Sequence, residues 1–423
     1  MLRHLYNALW YPALPVALAL SGAARDAETR RARLGLAWAG DGAAPAAEPR
    51  IWAHAASVGE VGALRAVVTA LVRERPGATL IVTTMTTAGR DAAQRSIPGA
   101  RAHLLAPLDC RRALGPFLDA LGPTLVLIAE TELWPNYFIE SRRAGARVAI
   151  VNGRVSERAL GRYRCVRPLI REALSCTDLV LAQTDDDARR FIALGAAAAR
   201  VAVTGNTKFD LESFNPAPLR PELSAFARGC PMLVAGSTAP GEEQIVIDAW
   251  RELRTRFDAI ALALAPRHLE RVAEVEGLLH AARLEYSKAS APGASAAGTS
   301  RVLLLDTMGE LRATYGRGAI AFVGGSLLPG RGGQSLAEPA AAGVPVLFGP
   351  FHDNQRAIGS ALLEARAGVV VRDAAALAKA VSAYLGDEAE RLAAGRRARA
   401  VVEGMAGGVA ATLRHLRPLI GVA

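Results

Sequence analysis

Short apolar runs recur along the chain, and the stretches between most of them carry apolar residues at helical spacing. In the N-terminal half, Ile51–Ala55, Thr79–Thr84, Thr124–Ala129, Arg147–Val151, Leu179–Ala182 and Val201–Thr204 read as buried strands. Amphipathic segments of helical length, such as Val61–Arg75 and Asp186–Leu194, separate them. Alternation of this kind predicts a parallel, doubly wound sheet. Phe214–Pro231, with four prolines, reads as a linker. Beyond it the pattern restarts with Met232–Ala235, Ala259–Ala265, Val302–Leu305, Ala319–Val323, Val344–Phe348 and Gly368–Val371, while Ser290–Ser300 reads as a surface loop. Two Rossmann-like lobes in tandem are the simplest architecture, and the 423 residues suit two domains of about 150–200 residues each.

The first twenty residues follow a different pattern. Arg3 and His4 precede an apolar run, Ala8–Leu20, interrupted by Pro12 and Pro15. The run is shorter than the roughly 20 residues that span a bilayer. It reads either as a signal peptide, given its trailing small residues, or as a monotopic anchor that places Leu5, Leu9, Trp10 and Tyr11 among lipid headgroups. An Arg-rich stretch and the Ala/Pro/Gly segment Ala39–Pro49 connect it to the first strand.

Composition narrows the function classes. Half of the residues are apolar and the net charge is +10, mostly from arginine. That charge suits an anionic partner (nucleic acid, a membrane surface or a phosphorylated substrate), but a genomic bias toward Ala, Arg and Gly produces it equally. Basic residues are scattered without interleaved aromatics, which argues against nucleic acid. Cys110, Cys165, Cys176 and Cys230 lie far apart, so neither a zinc site nor a disulfide framework is expected.

Ligands of open parallel sheets bind beyond the carboxyl ends of the strands, so polar clusters placed there carry the candidate chemistry. The first cluster runs from His54 through Ser57 and Gly59 to Glu60. Gly59 allows a tight turn, and Glu60 is either a favourable first-turn acid or a general base for an attacking hydroxyl. The second is Glu130-Thr131-Glu132-Leu133-Trp134-Pro135-Asn136. Here two carboxylates orient an acceptor, or one of them caps the next helix while Trp134 fills core. In the second half, Ser237-Thr238, Gly241-Glu242-Glu243, Pro266-Arg267-His268, Asp306–Leu311, Gly324-Gly325-Ser326 and Gly332-Gly333-Gln334-Ser335, the last leading into a helix with Glu338, all follow predicted strands. Glycine turns that open onto helix N-termini suit phosphate, Arg267 adds a charge-assisted contact, and Glu338 suits a ribose. Arg158, Arg162, Arg164, Arg167 and Arg171 form a basic helical set, which is either a solvated face or a contact for lipid phosphates. Asp185-Asp186-Asp187 sits at a helix start that favours acids, and no metal site is assigned to it.

Taken in order, HAASVGE, TTMT, ETELWPN, NGRVSER, GNTKFD, GEE, PRH, DTMGEL, FVGGSL and the GGQ…E segment resemble the bacterial 3-deoxy-D-manno-octulosonic acid (Kdo) transferases over nearly the whole chain. The resemblance implies a GT-B fold with two Rossmann-like lobes facing a cleft. The implied domains are an anchor segment 1–22, an acceptor-side domain 23–213, a linker 214–231, a nucleotide-sugar-binding domain 232–403 and a C-terminal helix 404–423. It also implies CMP-Kdo as donor substrate, a lipid A precursor as acceptor, no cofactor and no metal. Glu60 would be the base, supported by Glu130 and Glu132, with Ser57, Gly59 and Lys208 on the acceptor side. Ser237, Arg267, Thr307, Met308, Gly309, Glu310, Gly333, Ser335 and Glu338 would hold the nucleotide sugar. A cytosolic nucleotide donor favours retention of the N-terminal segment at the cytoplasmic face of the inner membrane.

The chain departs from the family pattern on the donor side. Ala239-Pro240 stand where S-T-H-x-G-E-E is common, Ser335 replaces the usual Asn, and Phe351 replaces a His that here follows as His352. These departures keep two alternatives open: a GT-B enzyme with another nucleotide sugar and acceptor, or a catalytically weakened lipid-binding relative. A dinucleotide-dependent oxidoreductase is disfavoured, because no G-x-G-x-x-G follows a strand with an acid about twenty residues on.

Overall fold

Strands that are apolar along their whole length must be covered on both faces, and helical crossovers between parallel strands provide that cover. The computed structural model describes residues 2–21, 26–38, 48–210, 218–226, 228–291 and 301–421. Most of Ala39–Pro49, part of the 214–231 segment and most of Ser290–Ser300 therefore lie outside the described residues. The chain divides into two compact units, Met1–Asp210 with Ala406–Ala423, and Leu211–Met405.

The first unit contains strands β1 (Arg50–Ala55), β2 (Thr79–Thr84), β3 (Ala102–Leu105), β4 (Leu125–Ala129), β5 (Arg147–Gly153), β6 (Leu179–Ala182) and β7 (Val201–Val203). They form one parallel sheet in the order β3-β2-β1-β4-β5-β6-β7. The period of two divides the side chains between two cores. Trp52, Ile81, Val126, Ile128, Val148 and Val180 pack on one face against Leu114, Phe117, Tyr137 and Phe191. Ile51, Ala53, Leu80, Leu125, Leu127 and Val151 pack on the other against Leu64, Val68 and Leu71. The C-terminal helix Gly408–Leu416 adds Leu413 and Leu416 to this second core, so the end of the chain completes the first unit.

The second unit contains β8 (Met232–Thr238), β9 (Ala261–Pro266), β10 (Tyr286–Lys288), β11 (Val302–Leu304), β12 (Ile320–Val323), β13 (Val346–Phe348) and β14 (Gly368–Val370). Its sheet is also parallel, in the order β10-β11-β9-β8-β12-β13-β14. Chain order reverses between β1 and β4 in the first sheet and between β8 and β12 in the second. These reversals are the topological switch points where open sheets bind ligands.

Two strands escape the sequence pattern. Both β3, with His103 inside it, and β10, Tyr286-Ser287-Lys288, are short edge strands only partly buried, so their apolar signal is weak. The 214–231 segment, read as linker, carries a short helix, Pro221–Ala225. At the N-terminus Leu2–Leu20 is one helix, and the prolines that break its apolar run, Pro12 and Pro15, lie inside it. Tertiary contacts offset the lost hydrogen bonds. Trp10, Leu14, Ala17 and Leu18 pack on Leu108, Cys110 and Ala113. Arg3 pairs with Glu172 at 2.9 Å, and Tyr6 donates to Asp109 at 2.6 Å. Among the described residues no helix is long and apolar enough to cross a membrane.

Candidate active site

The first cluster lies at the switch point of the first sheet. Helix Val58–Glu74 starts two residues past β1, and Glu60 falls in its first turn. One Glu60 carboxylate oxygen accepts the Ala56 N–H at 2.7 Å, and the other accepts the Ser57 hydroxyl at 3.3 Å. These bonds are those of a capping acid, yet they do not hold the group in the ordinary carboxylate range. Burial, with repulsion from Glu132 and then Glu130, pushes its pKa up to about 7, against the opposing pull of the Ala56 and Ser57 donors. Gly59 departs from its expected role. It lies inside the helix, and a Cβ there would meet nothing closer than Ser57 Oγ at 3.9 Å, so no tight turn requires glycine.

Beyond β4, the loop Glu130–Trp134 leads into helix Pro135–Arg143. Glu130 has a φ of +53°, a left-handed backbone uncommon outside glycine. Its carboxylate accepts Lys208 Nζ at 2.6 Å and Asn152 Nδ2 at 3.3 Å. Glu132 accepts the Trp134 indole N–H at 2.6 Å, and burial, followed by the Glu130 charge, raises its pKa. Neither carboxylate caps the following helix, which overturns the capping alternative. Asp109 does so, accepting the Asn136 N–H at 3.4 Å and the Tyr137 N–H at 3.0 Å. Trp134 is half-buried against the core. His54, the first residue of the motif, is buried and its pKa is pushed down to about 3, so it stays neutral and bonds Thr83 Oγ1 at 2.9 Å.

Glu60, Glu130, Glu132, Ser57 and Lys208 thus come together: Glu132 and Glu130 raise the proton affinity of Glu60, Glu130 raises that of Glu132, and one lysine pairs with Glu130. Sequence reasoning passed over Asn152 and Asp109. Asn152, with a φ of +52° at the end of β5, also accepts the Thr207 N–H at 3.0 Å and so fixes the turn that carries Lys208. An Asn closing an apolar strand was its signal; Asp109 had none.

The second unit gathers its candidates at the carboxyl ends of β8, β9, β11 and β12. Ser237, with a φ of +54°, closes β8. Arg267 follows β9; its N–H donates to the Thr238 carbonyl at 3.0 Å and its Nε to Gln334 Oε1 at 3.0 Å. Gly333 N–H reaches the Gly325 carbonyl at 2.8 Å, which folds the glycine segment after β12 back on itself. Ser335 is half-buried just beyond it. The helix that carries Glu338, Ala337–Ala341, has only five residues, so its dipole offers little to a phosphate. Glu338 is engaged by Arg312 Nε at 3.0 Å. Glu310 bonds Thr307 Oγ1 and takes two contacts from Arg220, at 2.6 and 3.1 Å, so its pKa is held down in spite of burial. Met308 is exposed and Gly309, with a φ of +89°, makes the turn between them.

Glu242 ties this edge together. Fully buried, it accepts four backbone N–H groups, from Ala239 (2.8 Å), Gly325 (2.6 Å), Ser326 (2.9 Å) and Leu327 (2.8 Å). It thereby joins the turns after β8 and β12 at the switch point. Its neighbour Glu243 is equally buried and is neutralised by a two-bond pair with Arg271, at 2.6 and 3.0 Å.

The three aspartates Asp185-Asp186-Asp187 open a helix, with Asp187 accepting the Val155 N–H at 2.9 Å. The described residues contain no His/Cys/Asp/Glu grouping suited to a metal.

Comparison with known proteins gives this geometry a family. Residues 28–211 match the family described as 3-deoxy-D-manno-octulosonic-acid transferase (kdotransferase). The Haemophilus influenzae 3-deoxy-D-manno-octulosonic acid transferase is 32% identical over 99% of both chains. The Bordetella pertussis enzyme of the same name is 35% identical over 89% of each. Among solved structures, a glycosyltransferase from Rickettsia africae superposes over 89% of this chain with a TM-score of 0.59 at 13% identity, a likeness of fold. The chain belongs to the 3-deoxy-D-manno-octulosonic acid transferase family of glycosyltransferases, with the GT-B fold.

Proposed function

We propose that this Kdo transferase moves Kdo from CMP-Kdo to a hydroxyl of a lipid A precursor by a single inverting displacement, with Glu60 as general base. The observation that carries the reading is the Glu60 carboxyl, raised to about 7 by burial and by Glu132 and Glu130 at a sheet switch point. A base poised near neutrality takes a proton efficiently from an attacking alcohol. In the step, the acceptor O–H gives its proton to Glu60 as its oxygen bonds to the anomeric carbon. The anomeric C–O bond breaks, and CMP leaves with the electron pair. Arg267 and the backbone amides of the glycine segment meet the charge on the leaving phosphate, so the step calls on neither metal nor cofactor. Lys208 fixes the Glu130 carboxylate through their ion pair, and the Glu130 charge adds to the repulsion that keeps Glu60 proton-hungry. Ser57 orients the base, and the open space beside Gly59 admits the acceptor.

The acceptor's lipid nature is supported by helix Leu2–Leu20. While one side docks on the unit, Leu2, Leu5, Leu9, Val16 and Leu20 stay exposed along the other. Exposed Arg158, Arg162, Arg164, Arg167 and Arg171 add positive charge. Such a stripe with nearby basic residues suits the anionic cytoplasmic face of the inner membrane.

The test is a transfer assay with CMP-Kdo generated in situ, a tetra-acylated lipid A precursor and mass readout of the lipid. One or more Kdo masses are expected, and none from Glu60→Gln, with CMP binding retained. Transfer undiminished in Glu60→Gln would overturn the base assignment. CMP binding without transfer by the native chain would point to another acceptor or sugar.

A further inference from the structure

The loop Glu130–Trp134 is fixed at both ends, and the two anchors differ. At its start the Glu130 N–H donates to the Val151 carbonyl at 3.0 Å, and Thr131 Oγ1 donates to the Arg154 carbonyl at 2.6 Å. Both anchors belong to the β5 strand and its exit. At its end Leu133 is buried in the core, and the start of the next helix is held by Asp109, through the Asn136 and Tyr137 N–H groups and through Asn136 Nδ2, which donates to the Asp109 carbonyl at 2.7 Å, and by the Tyr137 hydroxyl, which donates to the Pro107 carbonyl.

Asp109 is buried, and the donors to its carboxylate are all neutral. Burial pushes its pKa up to about 7, with the Tyr6 hydroxyl the largest opposing influence. Among the described residues Tyr6 is the one side chain that donates to this carboxylate, at 2.6 Å, and it comes from helix Leu2–Leu20. Asp109 lies between Leu108 and Cys110, the residues on which Trp10, Leu14, Ala17 and Leu18 dock. The anchor of the carboxylate loop, Asp109, therefore lies inside the seat of the N-terminal helix, between Leu108 and Cys110.

We propose that Tyr6 is a positioning residue for transfer: seated on Asp109, it fixes the start of helix Pro135–Arg143 and gives the loop bearing Glu130 and Glu132 its working shape. The proposal rests on the catalytic reading of those carboxylates. Without the Tyr6 donor, Asp109 is a buried carboxylate one hydrogen bond short, and its grip on the Asn136 and Tyr137 amides loosens. The loop end then shifts, and with it the distance from Glu132 to Glu60. A displacement on the order of 1 Å at a reacting group costs up to about a hundredfold in rate. The helix also carries the exposed apolar stripe, so its docking and the readiness of the site are linked through one phenol.

Tyr6→Phe keeps the ring and its packing while it removes the donor. In the full-length protein, assayed in detergent with saturating acceptor, kcat is expected to fall roughly five- to thirtyfold while the donor KM and CMP affinity hold. The acid limb of the kcat–pH profile should also move, because Glu60 titrates against Glu132 and Glu130. Asp109→Asn should give a loss at least as large, because its amide NH2 also stands against one of the Asn136 and Tyr137 donors, and the double variant no further loss than Asp109→Asn, since Tyr6 acts through Asp109. Wild-type kcat in Tyr6→Phe, an unmoved acid limb, or additive losses in the double variant would each overturn the proposal. Full activity in Glu60→Gln would instead remove the catalytic reading, whatever Tyr6→Phe does.

Discussion

Three residues with left-handed backbones and side chains, Glu130, Asn152 and Ser237, mark the carboxyl ends of the central strands β4, β5 and β8. Such conformations cost free energy and persist where the surroundings impose them, commonly at functional sites. At Glu130 the surroundings are the Lys208 ion pair and the Asn152 amide, which fix its carboxylate beside two others. Glu60 bears the consequence. Its pKa is raised from the ordinary 4.5 to about 7, so as a base it is protonated and idle below that pH. The transfer rate at saturating substrate should rise about tenfold per pH unit on the acid side and level off above pH about 7. The stability effect has the opposite sense. A carboxyl whose folded pKa is raised contributes stability that is full below 4.5 and is lost as pH rises through 7. Glu60→Gln removes the buried charge, so it should raise the melting temperature at pH 8 by a few degrees, equivalent to roughly 1–3 kcal/mol. At pH 4.5 it should change little. Thermal melts at the two pH values check this, and equal shifts at both would contradict the burial argument.

At the level of elements, the second sheet's switch point depends on Glu242. The turn after β8, Ala239-Pro240-Gly241, and the turn after β12, Gly324-Gly325-Ser326-Leu327, are joined by one buried carboxylate that accepts four N–H groups from the two. Glu242→Gln puts an amide NH2 against two of those donors, with a loss of about 2–4 kcal/mol. Nucleotide affinity should also fall by an order of magnitude or more, because Gly325 and its partner Gly333 then lose their fixed place. Calorimetric melts and CMP titration test the two effects together; a lower melting point with unchanged CMP affinity would separate this clamp from the donor site. The elements themselves were legible in the sequence wherever a strand is buried on both faces, since β1, β2, β4, β5, β6, β8 and β9 are near-continuous apolar runs. Only the partly buried edge strands β3 and β10 were not. The candidate residues were legible for the same reason, because they follow those runs directly. Their partners were not: Lys208 reaches Glu130 across 78 positions, and Glu242 reaches Gly325–Leu327 across 83 to 85. Nothing in a local pattern encodes such pairings. Asp109 was hidden more deeply, because it caps a helix that begins well downstream of it and belongs to no motif.

On the scale of the whole molecule, the chain does not build its units in sequence order. After the second unit it returns to the first, and Leu413, Leu416 and Ile420 complete the core formed by Val67, Val68 and Leu71 of helix Val58–Glu74. Polar contacts fix the return. The Asp210 carboxylate accepts the Gly407 N–H at 2.5 Å and the Val409 N–H at 2.7 Å, and Arg417 grips Glu74 through two bonds of 3.1 and 2.7 Å. Gly408 packs so tightly on Asn206 that a Cβ there would lie 2.9 Å from the Asn206 carbonyl carbon. The segment thus steadies the turn that carries Lys208 as well as the helix that carries Glu60. Burial of the three aliphatic side chains alone is worth roughly 5–8 kcal/mol, a large part of the 5–15 kcal/mol that typically stabilises a domain. Truncation after Met405 should therefore lower the first unit's melting transition by more than about 10 °C or abolish it. The second unit, Leu211–Met405, keeps all of its strands and should melt within a degree or two of its native value. CMP affinity should survive the truncation, and transfer should be lost. Differential scanning calorimetry resolves the two transitions. If both fell equally, the C-terminal return would be stabilising the molecule in some way other than by completing the first unit's core.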